Sequence, residues 1–233
     1  KRDFWEWSHE DQTRFDFYRQ FVPEGSLVFD VGANLGNRAK VFSKLGAIVV
    51  AVEPQAACAD FLSHAFQGDA TFHLVRKGLG SSIGEKEMLI SDDTTLSTLS
   101  PDWIAATTGA GRFTDRPWHR RATVSVDTLD NLIAHFGRPD FIKIDVEGFE
   151  FEVVSGLSSP IKALSMEFHP EFLENTIGCV NHLCALGDYR FQISLGESME
   201  FALPEWIDEE GIRETLPDVP TATFGDLYAR CHV

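Results

Sequence analysis

The sequence predicts an α/β fold, an open, doubly wound and mostly parallel sheet, on three observations. Short apolar runs at 27–31, 48–52 and 163–168 show little polar alternation, as strands buried on both faces do. Segments with helical spacing lie between such runs, so the first part of the chain reads strand, helix, strand, helix, strand. The stretch "DVGANLG", Asp30 to Gly36, then places a glycine-rich turn where sheets of this kind bind ligands, outside the carboxyl ends of their strands.

Each element follows from local signals. Ser8 with Asp11 three positions on forms a capping box, and Phe15, Tyr18 and Val22 share a stripe, which predicts a helix over 9–22 at the edge of the core. After the strand at 27–31 a helix runs over 37–45 and Gly46 closes it. A strand at 48–52, a helix at 55–66 and a strand at 71–75 follow. Residues 86–91 read as an inserted strand, and 92–118, rich in Thr, Ser, Gly, Asp and Pro without a period, as a long substrate-side surface excursion. Regularity returns with a strand at 121–126, a helix capped by Asp127 and ended by Gly137, a strand at 140–144, a helix at 147–155 and the strand at 163–168. Residues 170–186 read as helical and 189–195 and 225–231 as late strands, with an acidic loop around 208–210 between those two. One domain is expected over 1–233, with an amino-terminal helical segment at about 1–24.

Composition narrows the partners. The formal net charge of -16 opposes generic attraction to nucleic acid or to an anionic membrane surface and makes a small neutral or cationic molecule the easier ligand. No apolar run approaches the ~20 residues of a membrane span. The opening residues lack the apolar core of a secretory signal, and the chain starts on Lys1, so the native amino terminus is expected upstream. Four cysteines without a disulfide-type spacing point to a cytoplasmic protein. Cys179, His182 and Cys184 form one short cluster without a second half, and read as helix packing rather than a metal site.

The turn itself discriminates between cofactors. A dinucleotide fingerprint needs glycine at positions 34 and 37, where the chain has Asn34 and Asn37. Asn34 still tolerates the left-handed conformation that a tight turn requires. Asp30 at the strand end repels a pyrophosphate and attracts a sulfonium or ammonium group, and S-adenosylmethionine carries both cations and no phosphate. Glu53, ending the second strand, suits the two ribose hydroxyls, a feature shared with NAD sites. A dehydrogenase is therefore the disfavoured rival, and a non-catalytic sensor that keeps the pocket remains open.

With "DVGANLG", "AVEP" and "VDTLDNLIAHFGRPDFIKIDVEGFEFEVVSGL", the chain resembles the FkbM family of class I methyltransferases. The resemblance implies a Rossmann-like class I methyltransferase fold, S-adenosylmethionine as cofactor, and O-methylation of a small metabolite, sugar or natural product. It implies that Asp30, Gly32, Asn34, Gly36 and Glu53 line the cofactor pocket with Ala33 and Pro54 beside them, and that Gly78 and Leu79 approach the adenine.

The acceptor chemistry is expected at two strand ends. In "DFIKIDVEG" and "ALSMEFHPE" the two-residue period sets Lys143 with Asp145 and Glu167 with His169 on one side. Neighbouring strands would pair Lys143 with Glu167 and leave Asp145 beside His169. His169 is then the general base and Asp145 positions either it or the cofactor, with Glu147 alongside; capping roles explain Asp145 and Glu147 equally well. A divalent ion on Asp145, Glu147 and His169 is the weaker version, and no metal is assigned. Residues 111–121 form a basic, aromatic patch suited to an anionic substrate group or to plain solvation. Phe4, Trp5 and Trp7 read as a lid or as an anchor.

Overall fold

The computed structural model describes residues 4–221 and 223–232. Helix α1 (His9–Tyr18) begins at the predicted box: Ser8 Oγ accepts from the Asp11 amide at 3.0 Å, and the Asp11 carboxylate accepts from the Ser8 amide at 2.9 Å. It ends at Tyr18, four residues earlier than expected, with Arg19 as its C-cap; Val22 is nevertheless buried. Strand β1 (Leu27–Val31), helix α2 (Asn37–Lys44), strand β2 (Ile48–Val52), helix α3 (Ala56–Ala65) and strand β3 (Phe72–Val75) follow as predicted. The three strands pair in parallel, with Leu27 opposite Ile48 and Val49 opposite Phe72.

A small second sheet interrupts this order. Strands β4 (Gly78–Leu79), β5 (Gly84–Ile90) and β6 (Arg120–Asp127) pair as β4-β6-β5. The expected structureless excursion between β5 and β6 contains helix α4 (Pro101–Gly109), which is a correction. Ser100 caps it, accepting from the Trp103 amide, and Pro101 occupies its first turn. Trp103 and Thr107, four residues apart, are both fully buried. The Thr- and Gly-rich composition hid a short helix with one apolar face.

Helix α5 (Leu129–Phe136) is capped by Thr128 rather than Asp127: Thr128 Oγ1 accepts from the Asn131 amide, while the Asp127 carboxylate accepts from the Thr128 amide, the Asn131 side chain and Lys77. Strand β7 (Phe141–Ile144) leads to helix α6 (Glu150–Val154), which starts three residues later than predicted. Glu147 and Gly148 have φ of +53° and +84°, so the chain turns before it coils. Strand β8 (Ala163–Phe168), a 3-10 turn at Pro170–Phe172, helix α7 (Leu173–Leu186) and strand β9 (Tyr189–Leu195) come next. The expected acidic loop is instead the start of helix α8 (Glu209–Thr215): Asp208 caps it, and Glu209 and Glu210 sit where the helix dipole favours acids. Strand β10 (Gly225–Cys231) closes the chain. On α7, Cys179 is buried in the core and His182 Nε2 lies 2.8 Å from the Leu157 carbonyl oxygen, so that cluster serves packing.

The main sheet runs β3-β2-β1-β7-β8-β10-β9, parallel except for β10, which is antiparallel to both neighbours. Strand order reverses between β1 and β7. One face carries Phe29, Val31, Ile142, Ile144 and Met166 against α5, α6 and α7. The other carries Val28, Val49, Ala51 and Phe141 against α1, α2 and α3, with Phe21 stacked between Phe141 and Tyr228 at 5.0 and 5.5 Å. No helix among the described residues is long and apolar enough to cross a membrane.

Candidate active site at the reversal of the sheet

The turn after β1 is fixed from three sides. Gly32, Asn34 and Gly36 all have positive φ, at +83°, +47° and +81°. A Cβ on Gly32 would lie 1.8 Å from the Asp145 carbonyl oxygen, so the turn rests on the end of β7. Glu53 holds it from below: Oε2 accepts from the Asn34 amide and Oε1 from the Gln55 amide, each at 2.7 Å. Burial pushes the Glu53 carboxyl up to about 7 against the pull of those amides.

A narrow cleft opens beside the turn. Of the residues expected at the cofactor, Gly32, Asn34, Glu53, Pro54, Gly78, Leu79 and Asp145 line it. Ala33 and Gly36 do not; they shape the turn, with the Gly36 amide donating to the Ala33 carbonyl at 2.7 Å.

Asp30, expected at the methyl donor, lines neither this cleft nor the larger cavity beyond it. Strand alternation turns it, like Val28, to the α1 face. There it is 2% exposed and its Oδ2 has no protein partner. Burial pushes it up to about 7, against the pull of Lys143 and Arg38.

Lys143 pairs with Asp226 at 3.0 Å and Asp145 at 3.2 Å, not with Glu167. Its neighbour in register, Ser165, is small, so the ammonium reaches across β8 to β10. Burial opposes this charge, but Asp145 and Asp226 outweigh it and hold the lysine well above its ordinary value. Lys143 in turn holds Asp145 below the usual carboxylate range despite burial.

A second, roomier cavity of about 340 Å³ shares Gly32, Asn34, Thr95 and Asp145 with the first. Its far wall carries Arg112, Glu147, Glu167, His169 and Glu197. His169 Nε2 lies 3.2 Å from Glu167 Oε2 and 3.7 Å from Glu147 Oε2. Its Nδ1 faces Arg112 Nη1 at 3.2 Å, and that guanidinium donates to Glu171 at 2.6 Å. The expected Asp145–His169 contact is thus replaced by Glu147 and Glu167, because Lys143 retains Asp145.

The protonation of this cluster corrects the general-base assignment. Burial pulls His169 down, but Glu167 and Glu147 outweigh it and hold the ring up at about 11. The Arg112 contact argues for a different state: a guanidinium only donates, so Nδ1 must offer a lone pair and the ring be neutral. At Nδ1 the direct contact with Arg112 sets the state. Both states place a hydrogen on Nε2, so the ring presents a donor, not a base, to the carboxylates.

The loop carrying Glu147 is tightly held. Glu150 accepts from the Val146 and Gly148 amides at 3.2 and 3.1 Å. Asn175 donates to the Gly148 carbonyl at 3.1 Å, and Thr98 to that of Glu147 at 2.6 Å. Burial and the Glu167 charge push the Glu147 carboxyl well above its ordinary value. Glu197 is tied to Arg38 at 2.8 Å and Arg14 at 3.2 Å.

The basic patch at 111–121 divides: Arg112 reaches the cavity, while Arg116 and Arg121 pair on the surface with Asp93 and Glu87. Phe4 packs on Phe61 and Phe66, and its carbonyl accepts from Lys40 at 3.0 Å, so the amino-terminal aromatics are an anchor. Sequence reasoning missed Glu167 as a site residue, having given it to Lys143. It missed Glu197 and Asp226 because only the chain's long-range course brings them in.

The family model described as the methyltransferase FkbM domain matches residues 30–194. The chain belongs to the FkbM methyltransferase family. Hexuronic acid methyltransferase AglP of Haloferax volcanii is 29% identical over 143 residues, 61% of this chain and 54% of the relative. The chain therefore spans about half the length of that curated relative. Among solved structures, a precorrin-6y C5,15-methyltransferase from Geobacter metallireducens matches with a TM-score of 0.49 at 9% identity, covering 94% of this chain and 86% of that one. An O-methyltransferase from Bacillus cereus in complex with SAH gives 0.47 at 10% identity, covering 98% and 84%.

As in other FkbM domains, the central sheet is the Rossmann-like arrangement of a class I methyltransferase, and S-adenosylmethionine is the implied cofactor. The first cleft fits that group. Gly32 leaves the turn no room for a side chain, and Glu53 keeps unused lone pairs for ribose hydroxyls. Among the described residues of its wall the one cation is Lys77, already tied to Asp127, so nothing there is built for a pyrophosphate.

Proposed function

We propose that this FkbM protein is an S-adenosylmethionine-dependent O-methyltransferase whose acceptor is a hydroxyl of a small, oxygen-rich metabolite of the sugar class. The observation that carries the reading is the wall of Gly32, Asn34, Thr95 and Asp145, shared between the cleft at the glycine turn and a second, acid-lined cavity. The name of the hexuronic acid methyltransferase relative supports a sugar-type acceptor. The net charge of -16 supports a small molecule over nucleic acid or a membrane surface as partner. Four free cysteines support a reducing, cytoplasmic location.

When bound, the cofactor supplies a methyl group already activated by the sulfonium. The chain's own residues orient the partners: Gly32, Asn34 and Glu53 seat the donor, and the ionised Asp145 favours its positive charge at the shared wall. Activation of the acceptor hydroxyl falls to the carboxylates Glu147 and Glu167 in the second cavity, which the Nε2 hydrogen of His169 orients.

The test is incubation with isotopically methyl-labelled cofactor and a panel of sugars, sugar acids and other hydroxylated metabolites, read by mass spectrometry. One labelled methyl ether is expected. A chain that binds cofactor yet labels nothing across the panel would be a cofactor-binding module and not this enzyme.

A further inference from the structure

We infer that Glu147, Glu167 and His169 form a site for a divalent cation of the Mn²⁺ class, which grips two neighbouring oxygens of the acceptor beside the cofactor cleft. The inference rests on the reading of the second cavity as the acceptor's. The three donor atoms lie within 4.8 Å of one another, and two of the separations are 3.2 and 3.7 Å. A six-coordinate cation with ~2.1 Å bonds needs cis ligands ~3 Å apart, so a small inward adjustment suffices.

Charge supplies an independent argument. Asp145 has Lys143 as an ion-pair partner, shared with Asp226, and Glu197 has Arg38 and Arg14. Among the described residues, Glu147 and Glu167 have no lysine or arginine ion-pair partner; they share the Nε2 of His169. Two half-buried carboxylates facing one another are costly, and a divalent cation exchanges that repulsion for attraction to both.

Position and donor chemistry agree. Glu167 lies on β8 and His169 directly follows it, while Glu147 stands in the loop after the adjacent parallel strand β7, a loop held by Thr98, Glu150 and Asn175. Two carboxylates and one imidazole suit Mn²⁺ or Mg²⁺ and leave coordination positions free. Those positions suit a vicinal diol or a hydroxy acid.

In the transfer, the cation lowers the pKa of the bound hydroxyl, whose proton leaves to water in the open cavity. The new bond joins the hydroxyl oxygen to the methyl carbon, the carbon–sulfur bond breaks, and its electron pair stays on sulfur. One local change is required. A cation on Nε2 puts the ring hydrogen on Nδ1, where it confronts Arg112, so the guanidinium must withdraw toward Glu171, which it already binds.

The test is titration of the whole chain with Mn²⁺ alone, followed by electron paramagnetic resonance, with S-adenosylhomocysteine binding measured in parallel. We expect one Mn²⁺ per chain. Glu167→Gln and His169→Gln should each weaken it ~10-fold or more, with S-adenosylhomocysteine affinity unchanged, while Arg112→Met should tighten it. Wild type that takes up no Mn²⁺ at millimolar concentration, or variants that bind it equally well, would overturn the site. Mn²⁺ bound as expected with no acceptor ever methylated would uphold the site and count against the function.

Discussion

At Glu53 one carboxylate ties the turn after β1 to the start of α3, with both oxygens committed to backbone amides. Glu53→Ala orphans those amides and removes the ribose acceptors. Calorimetry with S-adenosylhomocysteine should then show an affinity loss of ~10-fold or more, the equivalent of about 1.4 kcal/mol. Asp30 and Glu53 also set a pH dependence. Burial raises both carboxyls to about 7, Asp30 among Lys143, Arg38, Asp145 and Glu53. Their contribution to stability is therefore fully present below the unfolded values of ~4 and is lost as pH rises through 7. The melting temperature of the cofactor-free chain should fall between pH 5 and 8, and Asp30→Asn should flatten that fall; an unchanged profile would refute the account of Asp30. The left-handed Asn34 was legible in the sequence, because few residue types tolerate that conformation. The direction of Asp30 was not, because in a strand buried on both faces no polar alternation tells which face a side chain takes.

Among the elements, α4 and the loop carrying Glu147 depend on one close contact. A Cβ on Gly148 would lie 2.2 Å from Trp103 Cβ, at a φ of +84° that a side chain rarely adopts. Gly148→Ala should cost about 2–4 kcal/mol from backbone strain and overpacking together, measured by denaturant unfolding, and should lower methyl transfer by displacing Glu147. At the other end, Lys40 and Asp11 form a buried pair at 2.6 Å that joins α2 to α1. Asp11→Ala leaves the ammonium uncompensated and should destabilise by about 3–5 kcal/mol, while Phe4 and its neighbours loosen. The capping box announced α1, since its residues are local. Helix α4 escaped notice because its evidence is a burial pattern that only tertiary packing reveals.

The whole molecule is organised by the reversal of strand order between β1 and β7, which opens the space that both cavities occupy. Most of the strands could be read from their apolar runs, and with them the presence of a parallel sheet. Their order was not readable: β10 enters between β8 and β9, so Asp226, far along the chain, takes the partnership expected of Glu167. That single exchange frees Glu167 to join Glu147 and His169, and it changes the chemistry assigned to the site. The central claim is that cofactor and acceptor meet at the wall of Gly32, Asn34, Thr95 and Asp145. A crystal structure with S-adenosylhomocysteine tests it most directly. The account predicts the adenosine beside Glu53, Gly78 and Leu79, with the sulfur at that wall facing the acid-lined cavity; a ligand seated in another cleft, or a sulfur turned away from the wall, would contradict it.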